Sequence, residues 1–149
     1  MPVITGTATA EVDAPLERCW ELIENVAIAP EWQGGLERMD VLEKDDQGRP
    51  LVCDAVSDAK LRKVTTRVRF SYEGPRRLSW TQVGDGDLRS MEGYWELESL
   101  GEGRTRATYG LAVDPGPVGL LARGPLERAA RALLLNPRPR ELAKRVEAN

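Results

Sequence analysis

Hydrophobic and polar residues alternate singly through much of the chain, and this two-residue period is typical of half-buried β-strands. The first such stretch runs from Val3 to Val12 and ends at Asp13-Ala14-Pro15. From Leu36 onward, turn-forming clusters rich in Gly, Asp and Pro recur at the interval of strands joined by short loops. The segments between these clusters predict six further strands: Leu36–Lys44, Leu51–Ala59, Arg62–Tyr72, Arg77–Val83, Leu88–Leu100 and Arg104–Asp114.

The last two predicted strands show the clearest separation of faces. In the first of them, Met91, Gly93, Trp95 and Leu97 share one face, and Glu92, Tyr94 and Glu96 share the other. In the second, one face carries Thr105, Ala107, Tyr109, Leu111 and Val113. Each strand therefore has one apolar face for a core and one polar face for water.

Two short helices are expected after the first strand. Proline is favoured in the first turn of a helix, so a helix should begin at Pro15 with Asp13 or Ala14 at the cap position. An apolar stripe at helical spacing follows, formed by Leu16, Cys19, Trp20 and Ile23. A second helical piece carries Ile28, Pro30 and Trp32 and should stop at Gly34-Gly35.

A long C-terminal helix is predicted after residues 114–117, where the period changes from two to about four. Its apolar stripe consists of Leu126, Ala129, Ala130, Leu133 and Leu134, continued by Leu142 and Val146. Pro137 and Pro139 should kink or interrupt it, because proline lacks an N–H donor and its ring clashes with the preceding turn. Only this helix is long enough to lie across a curved sheet. The order of elements indicates a single α+β domain over residues 1–149.

The amino-acid composition limits the kinds of catalysis and the kinds of partner that are expected. The chain has 149 residues, no histidine and a net charge of −3. Without histidine, serine–histidine and cysteine–histidine catalysis are excluded, and the commonest metal ligand is missing. We expect no metal and no cofactor. Interspersed charges argue against nucleic acid as a partner, and the lack of a long apolar run argues against stable membrane insertion and favours the cytoplasm.

Five short motifs together resemble the polyketide cyclase/dehydrase branch of the START-like (SRPBCC) superfamily. They are Val12 to Trp20, Ala29 to Trp32, Gly93 to Leu97, Arg104 to Tyr109 and Leu142 to Glu147. The resemblance implies a helix-grip fold, in which a curved seven-stranded antiparallel sheet wraps around a long C-terminal helix and leaves a deep hydrophobic cavity. Members include aromatase/cyclases, coenzyme Q-binding proteins and lipid carriers, so the fold does not fix the function.

The side chains expected to line that cavity are mostly large and apolar. Trp and Tyr pair an apolar body with one polar atom, which suits a cavity wall as well as a packed core. Trp20 is assigned to the core. The predicted ligand-binding residues are Trp32, Val68, Trp80, Met91, Trp95, Tyr109, Leu126 and Leu133.

Two polar features allow alternative interpretations. Alternation places Arg69 in solvent, whereas the aromatase/cyclase pattern implies a cavity arginine there, and a β-bulge would reconcile the two. Asp54 and Asp58 share a strand face with Val52 and Val56, so one of them could be a buried base with a raised pKa. If the inner face is formed instead by Cys53, Ala55, Ser57 and Ala59, both acids lie in water.

The sequence favours a protein that binds a lipid, quinone or polyketide-like molecule, as a monomer or homodimer. The alternative is a cofactor-free cyclase or dehydratase acting on a poly-ketone in the same cavity. Arg69 and Tyr109 are the candidate catalytic residues for that reaction, as hydrogen-bond donors to developing oxyanion charge.

Overall fold

The computed structural model describes residues 4–58, 63–114, 116, 131–132 and 135–148. Its seven strands form one antiparallel sheet in the order β1-β7-β6-β5-β4-β3-β2. Every strand except β1 pairs with its neighbour in sequence, so the chain forms a meander that β1 closes by pairing with β7. The strands are β1 (Ile4–Val12), β2 (Leu36–Lys44), β3 (Pro50–Asp58), β4 (Lys63–Glu73), β5 (Arg77–Gln82), β6 (Ser90–Gly101) and β7 (Arg104–Asp114).

The predicted strand bounds agree closely with the structure. β2 and β7 have the predicted limits, and the described ends of the others differ from the prediction by at most two residues. In β6 the buried positions are Gly93, Trp95 and Leu97, alternating with more exposed positions. The predicted division of β6 and β7 into two faces is therefore confirmed.

Two helical segments follow β1. The first is α1 (Leu16–Glu24), whose Cys19, Trp20 and Ile23 are buried as the apolar stripe predicts. Pro15 occupies the cap position, one residue after the predicted candidate Ala14. No side chain forms a capping hydrogen bond with the helix. Instead, the backbone N–H of Asp13 donates to Glu147 at 2.9 Å, which joins the start of α1 to the chain's C-terminal region. A 3₁₀ helix (Val26–Glu31) follows directly.

The C-terminal helix is interrupted at Pro137, as predicted, whereas Pro139 lies in the first turn of the helix that follows. Arg131 and Ala132 are helical, a turn spans Leu135 to Pro137, and a new helix, α2 (Arg138–Glu147), begins after it. Leu142 and Val146 of α2 are 0% and 4% exposed. Leu126, Ala129, Ala130, Leu133 and Leu134, the predicted stripe before the interruption, lie outside the described residues.

The core is formed where α1 and α2 pack against one face of the sheet, which we call the inner face. It includes Leu97, Ala107 and Trp95 from the sheet together with Trp20 and Leu142 from the helices. A curved seven-stranded antiparallel sheet that holds a C-terminal helix is the helix-grip arrangement. No helix of the described residues is long and apolar enough to cross a membrane.

Replacing Leu142 by Ala should test how strongly α2 stabilises the fold. Leu142 is completely buried in the core, so we expect the free energy of unfolding to fall by about 2–5 kcal/mol. Urea denaturation measures it. Lys144→Ala, on the exposed side of the same helix, is the control, and its free energy of unfolding should stay within about 0.5 kcal/mol of the parent. An equal loss of stability in both variants would contradict the packing of α2 on the core.

Candidate functional site

A continuous run of aromatic rings follows the inner face. Neighbouring ring centroids lie 4.9–6.4 Å apart and every pair is tilted, within the range of favourable aromatic contacts. The run connects the end of the 3₁₀ helix to β4 across the middle of the sheet. Its members, in spatial order, are Trp32, Trp95, Tyr109, Trp80, Phe70 and Tyr72.

Burial along the inner face changes from one end to the other. In β6, Trp95 and Leu97 are 1% and 3% exposed, whereas Met91 on the same face is partly exposed. In β7, Tyr109 is buried and Leu111 is partly exposed. The core is therefore closed beside α1 and α2 and more open toward Met91 and Leu111, where apolar surface is accessible to a ligand.

The structure brings most of the predicted lining residues to one side of the sheet. Val68 and Trp95 are almost completely buried, and Trp32, Trp80 and Met91 are partly exposed beside them. Tyr109 lies between Trp95 and Trp80. Leu126 and Leu133 lie outside the described residues.

Arg69 lies on the outer face of the sheet. It is exposed and pairs in regular register with Val52 on β3 and Thr81 on β5. No bulge interrupts either pairing, so the β-bulge that would turn this side chain inward is absent from β4. The alternation of β4, which predicted that Arg69 points into solvent, is correct. Arg69 and Tyr109 lie on opposite faces of the sheet, so the structure does not bring these two candidate catalytic residues together.

The open question about β3 is resolved by its register with β4. Cys53 pairs with Val68 on the inner face, while Asp54 pairs with Arg67 on the outer face. The Arg67 guanidinium donates to both carboxylate oxygens of Asp54, at 2.9 and 3.2 Å, and this hydrogen bonding lowers the pKa of that carboxyl. Asp54 is thus a surface ion-pair partner and has no raised pKa.

Sequence reasoning missed an ion pair at the start of α2 in which the arginine is buried and the glutamate partly buried. Arg138 Nη1 donates to Glu141 Oε1 at 2.7 Å and to the carbonyl oxygen of Gly34 at 2.7 Å. Glu141 Oε2 accepts the backbone N–H of Gly34 at 2.9 Å. The two side chains are 4% and 23% exposed. Arg138, Glu141 and Gly34 thus form a clamp that ties α2 to the loop before β2.

This clamp lies against the aromatic run. The guanidinium carbon of Arg138 is 5.7 Å from the centroid of the Tyr109 ring. Burial raises the pKa of the Tyr109 hydroxyl, and the nearby positive charge of Arg138 opposes the shift only in part. Tyr109 is therefore protonated at neutral pH and able to donate a hydrogen bond.

Two buried donors near these rings have no hydrogen-bond partner among the described residues. They are Nε1 of Trp32 and Nε of Arg138. An unpaired buried donor costs about 1–3 kcal/mol, so a bound acceptor that satisfied it would gain correspondingly. The only sequence signals at this site were the Arg-to-Glu spacing of three residues and the flanking Pro137 and Pro139, and neither indicates burial.

The opposite face of the sheet carries a groove of about 890 Å³. Its walls include Arg69, Arg77 and Tyr94, and Arg77 lies over the Tyr94 ring and pairs with Glu96. Short hydroxyl side chains of neighbouring strands also line it. Because the unpaired buried donors and most of the aromatic rings lie on the inner side, the inner face is the stronger candidate site.

Neither cysteine indicates catalysis. Cys19 and Cys53 are free and fully buried. Burial is the main cause that raises the pKa of both thiols, to about 11 for Cys53, so the reactive thiolate is disfavoured. Within the described ranges, no group of three His, Cys, Asp or Glu side chains is arranged to hold a metal ion.

Comparison with known families supports this architecture. The profile of the family described as polyketide cyclase / dehydrase and lipid transport matches residues 3–147. The chain belongs to this family. A comparison of this chain with curated protein sequences finds no match.

Solved structures share the fold at low sequence identity. A Thermus thermophilus protein superposes with a TM-score of 0.79 at 20% identity, covering 99% of this chain and 98% of its own. A START superfamily protein from Mycobacterium smegmatis gives 0.77 at 18% identity, with 97% of both chains covered. An aromatase/cyclase from a Streptomyces species gives 0.76 at 17% identity, covering 98% of this chain and 94% of its own. These similarities establish the START-like fold.

The buried ion pair makes a prediction about stability. Arg138→Met leaves the Glu141 carboxylate without its cation, and we expect a loss of about 3–5 kcal/mol in the free energy of unfolding. The double variant Arg138→Met/Glu141→Leu should lose less than the sum of the two single variants, because neither charge is left unpaired.

A second ion pair of α2 serves as the control. Arg145 and Glu31 join α2 to the 3₁₀ helix at 3.0 Å, with side chains 35% and 57% exposed. Glu31→Gln should change the free energy of unfolding by less than about 1 kcal/mol. Strict additivity of the Arg138 and Glu141 variants in urea denaturation would show that the pair is not coupled.

Proposed function

We propose that this protein binds an apolar small molecule, such as a lipid, quinone or polyketide-like compound, between the inner face of the sheet and the C-terminal helix. The observation that carries the proposal is the aromatic run from Trp32 to Tyr72, which joins a packed core to partly exposed apolar surface at Trp80 and Met91. Apolar pockets with a few polar groups are the usual form of small-molecule sites. The family's lipid-transport and cyclase members support the same class of ligand.

The polar groups beside the run favour a ligand that carries a hydrogen-bond acceptor. Trp32 Nε1 and Arg138 Nε are donors without a partner in the described part of the chain, and Tyr109 carries a protonated hydroxyl. Glu141 already balances the charge of Arg138. A buried carboxylate would leave the site with one uncompensated negative charge, so a neutral carbonyl oxygen fits better than an acid group.

The first test is to identify by native mass spectrometry any small molecule that copurifies with the protein. A specific apolar ligand would support the proposal. Binding is then measured by fluorescence quenching with three probes of similar size: 2-methyl-1,4-naphthoquinone, 2-methylnaphthalene and 2-naphthoic acid. We expect the quinone to bind more tightly than the hydrocarbon and the acid. Failure of all three to bind, in a protein that copurifies with nothing apolar, would refute the proposal.

Conservative variants then identify the donors. Trp32→Phe keeps a ring and removes Nε1, and Arg138→Lys keeps the charge and removes Nε. A hydrogen bond contributes about 0.5–1.5 kcal/mol, so each variant should reduce the preference for the quinone over the hydrocarbon by about 2- to 10-fold. Trp80→Phe, which removes an indole N–H elsewhere in the run, is the matched control and should leave that preference unchanged. An unchanged preference in the first two variants would exclude these donors.

A cofactor-free cyclase or dehydratase is the second candidate function. The specific observation in its favour is the buried Tyr109, which carries its phenol group beside the guanidinium of the buried Arg138. Such a pair, in a site that excludes water, would stabilise the oxyanion that forms when a poly-ketone closes by aldol addition. The structural similarity to an aromatase/cyclase is consistent with this chemistry.

Turnover of a poly-ketone by two variants tests this second function. Tyr109→Phe should reduce the rate of cyclised product by about 100-fold or more, as expected for loss of an oxyanion donor. Arg69→Ala should leave the rate unchanged, because Arg69 lies on the outer face. Product formation is followed by liquid chromatography. A parent protein that makes no cyclised product favours the binding function, and a loss of rate in the Arg69 variant would contradict the placement of the reaction on the inner face.

A further inference from the structure

The inner face contains a glycine that lies directly beneath an indole ring. Gly93 on β6 pairs with Trp80 on β5 in the sheet register. A Cβ atom built on Gly93 would lie 2.5 Å from Cζ2 of Trp80 and 2.7 Å from Cε2. Real Cβ atoms essentially never approach other heavy atoms so closely. The Trp80 ring therefore occupies the position that a side chain at residue 93 would need.

Among the described residues, two neighbouring rings and the backbone of β6 restrict where the Trp80 ring can move. Phe70 and Tyr109 lie on either side of Trp80, with centroids 6.0 and 5.7 Å away. Backbone lies beneath it, at Gly93. Trp80 is only partly buried, so a ring displaced by a side chain at residue 93 would move away from the sheet, toward the space proposed for the ligand.

We infer that Gly93 determines which ligands fit, because the missing side chain allows Trp80 to rest against the sheet and so sets the depth of the ligand space. A methyl group at residue 93 would require the nearest ring atom to retreat from 2.5 Å to an ordinary contact of at least 3.4 Å. The ligand space would become shallower by about that difference without losing any of its lining residues. This inference rests on the proposed ligand-binding function and names the residue that limits ligand thickness.

The outer face offers a matched control. Gly110 on β7 pairs with Tyr94 on β6, and a Cβ atom on Gly110 would overlap the Tyr94 ring in the same way. Tyr94 points outward, where Arg77 lies over its ring. Gly110→Ala should thus disturb a glycine–aromatic pair of the same kind in the same sheet without changing the ligand space.

The experiment compares the full-length parent with Gly93→Ala and Gly110→Ala, using two fluorescent probes of different thickness. The dansyl amides of 1-adamantylamine and hexylamine share a fluorophore and differ in the bulk of the apolar group. We expect Gly93→Ala to raise the Kd of the adamantyl probe about 10-fold relative to that of the hexyl probe. Gly110→Ala should leave the ratio of the two Kd values within about 2-fold of the parent.

A second variant tests the same idea in the opposite direction and does not depend on Gly93→Ala folding. Trp80→Leu removes the ring and deepens the space, so the ratio of the two Kd values should shift in favour of the adamantyl probe. If both probes bind and neither Gly93→Ala nor Trp80→Leu changes that ratio, the role of Gly93 is refuted and the binding function stands. If neither probe binds the parent protein, the binding function itself is refuted and the role of Gly93 fails with it.

Discussion

The register of β6 against β7 is the constraint on which the rest of the site depends. It places Trp95 opposite Tyr109, with ring centroids 4.9 Å apart. Because successive side chains on a strand point to opposite faces, this single pairing brings the large apolar residues of both strands to one side. That side must be covered to exclude water, and α1 and α2 cover the end near Trp95. Beyond the two helices, the inner face keeps partly exposed apolar side chains such as Met91 and Leu111. The ligand that we propose would cover this surface.

The clamp formed by Arg138, Glu141 and Gly34 links this cover to the chemistry. It holds the start of α2 against the loop before β2, and it also places a guanidinium beside Tyr109. A buried ion pair is weak evidence for stability by itself, since its members must be removed from water. Its position beside an aromatic run, with Nε left unpaired by the described residues, is the reason we propose that the pair takes part in recognising a hydrogen-bond acceptor.

Two glycine–aromatic pairs in neighbouring strands show how one local arrangement has different consequences on the two faces. Trp80 covers Gly93 on the inner face, and Tyr94 covers Gly110 on the outer face. An aromatic ring over a strand glycine compensates for the packing that the glycine lacks. On the outer face the result is a stacked surface with Arg77. On the inner face the Trp80 ring rests against the sheet, out of the space that we propose for the ligand.

The sequence by itself determined the strands, the two faces of β6 and β7, and the break in the helix at Pro137, because alternation and proline geometry are local properties of the chain. It also placed Arg69 outward by the same alternation. β3 was ambiguous because both of its faces are apolar: Val52 and Val56 are buried on one, and Cys53 and Ala55 on the other, so only pairing with β4 decided where Asp54 points. The site around Arg138 depended entirely on tertiary structure, since Arg138 and its partner Gly34 are 104 residues apart. No local pattern distinguishes this arginine from the exposed ones, because its burial arises only when α2 docks beside Tyr109.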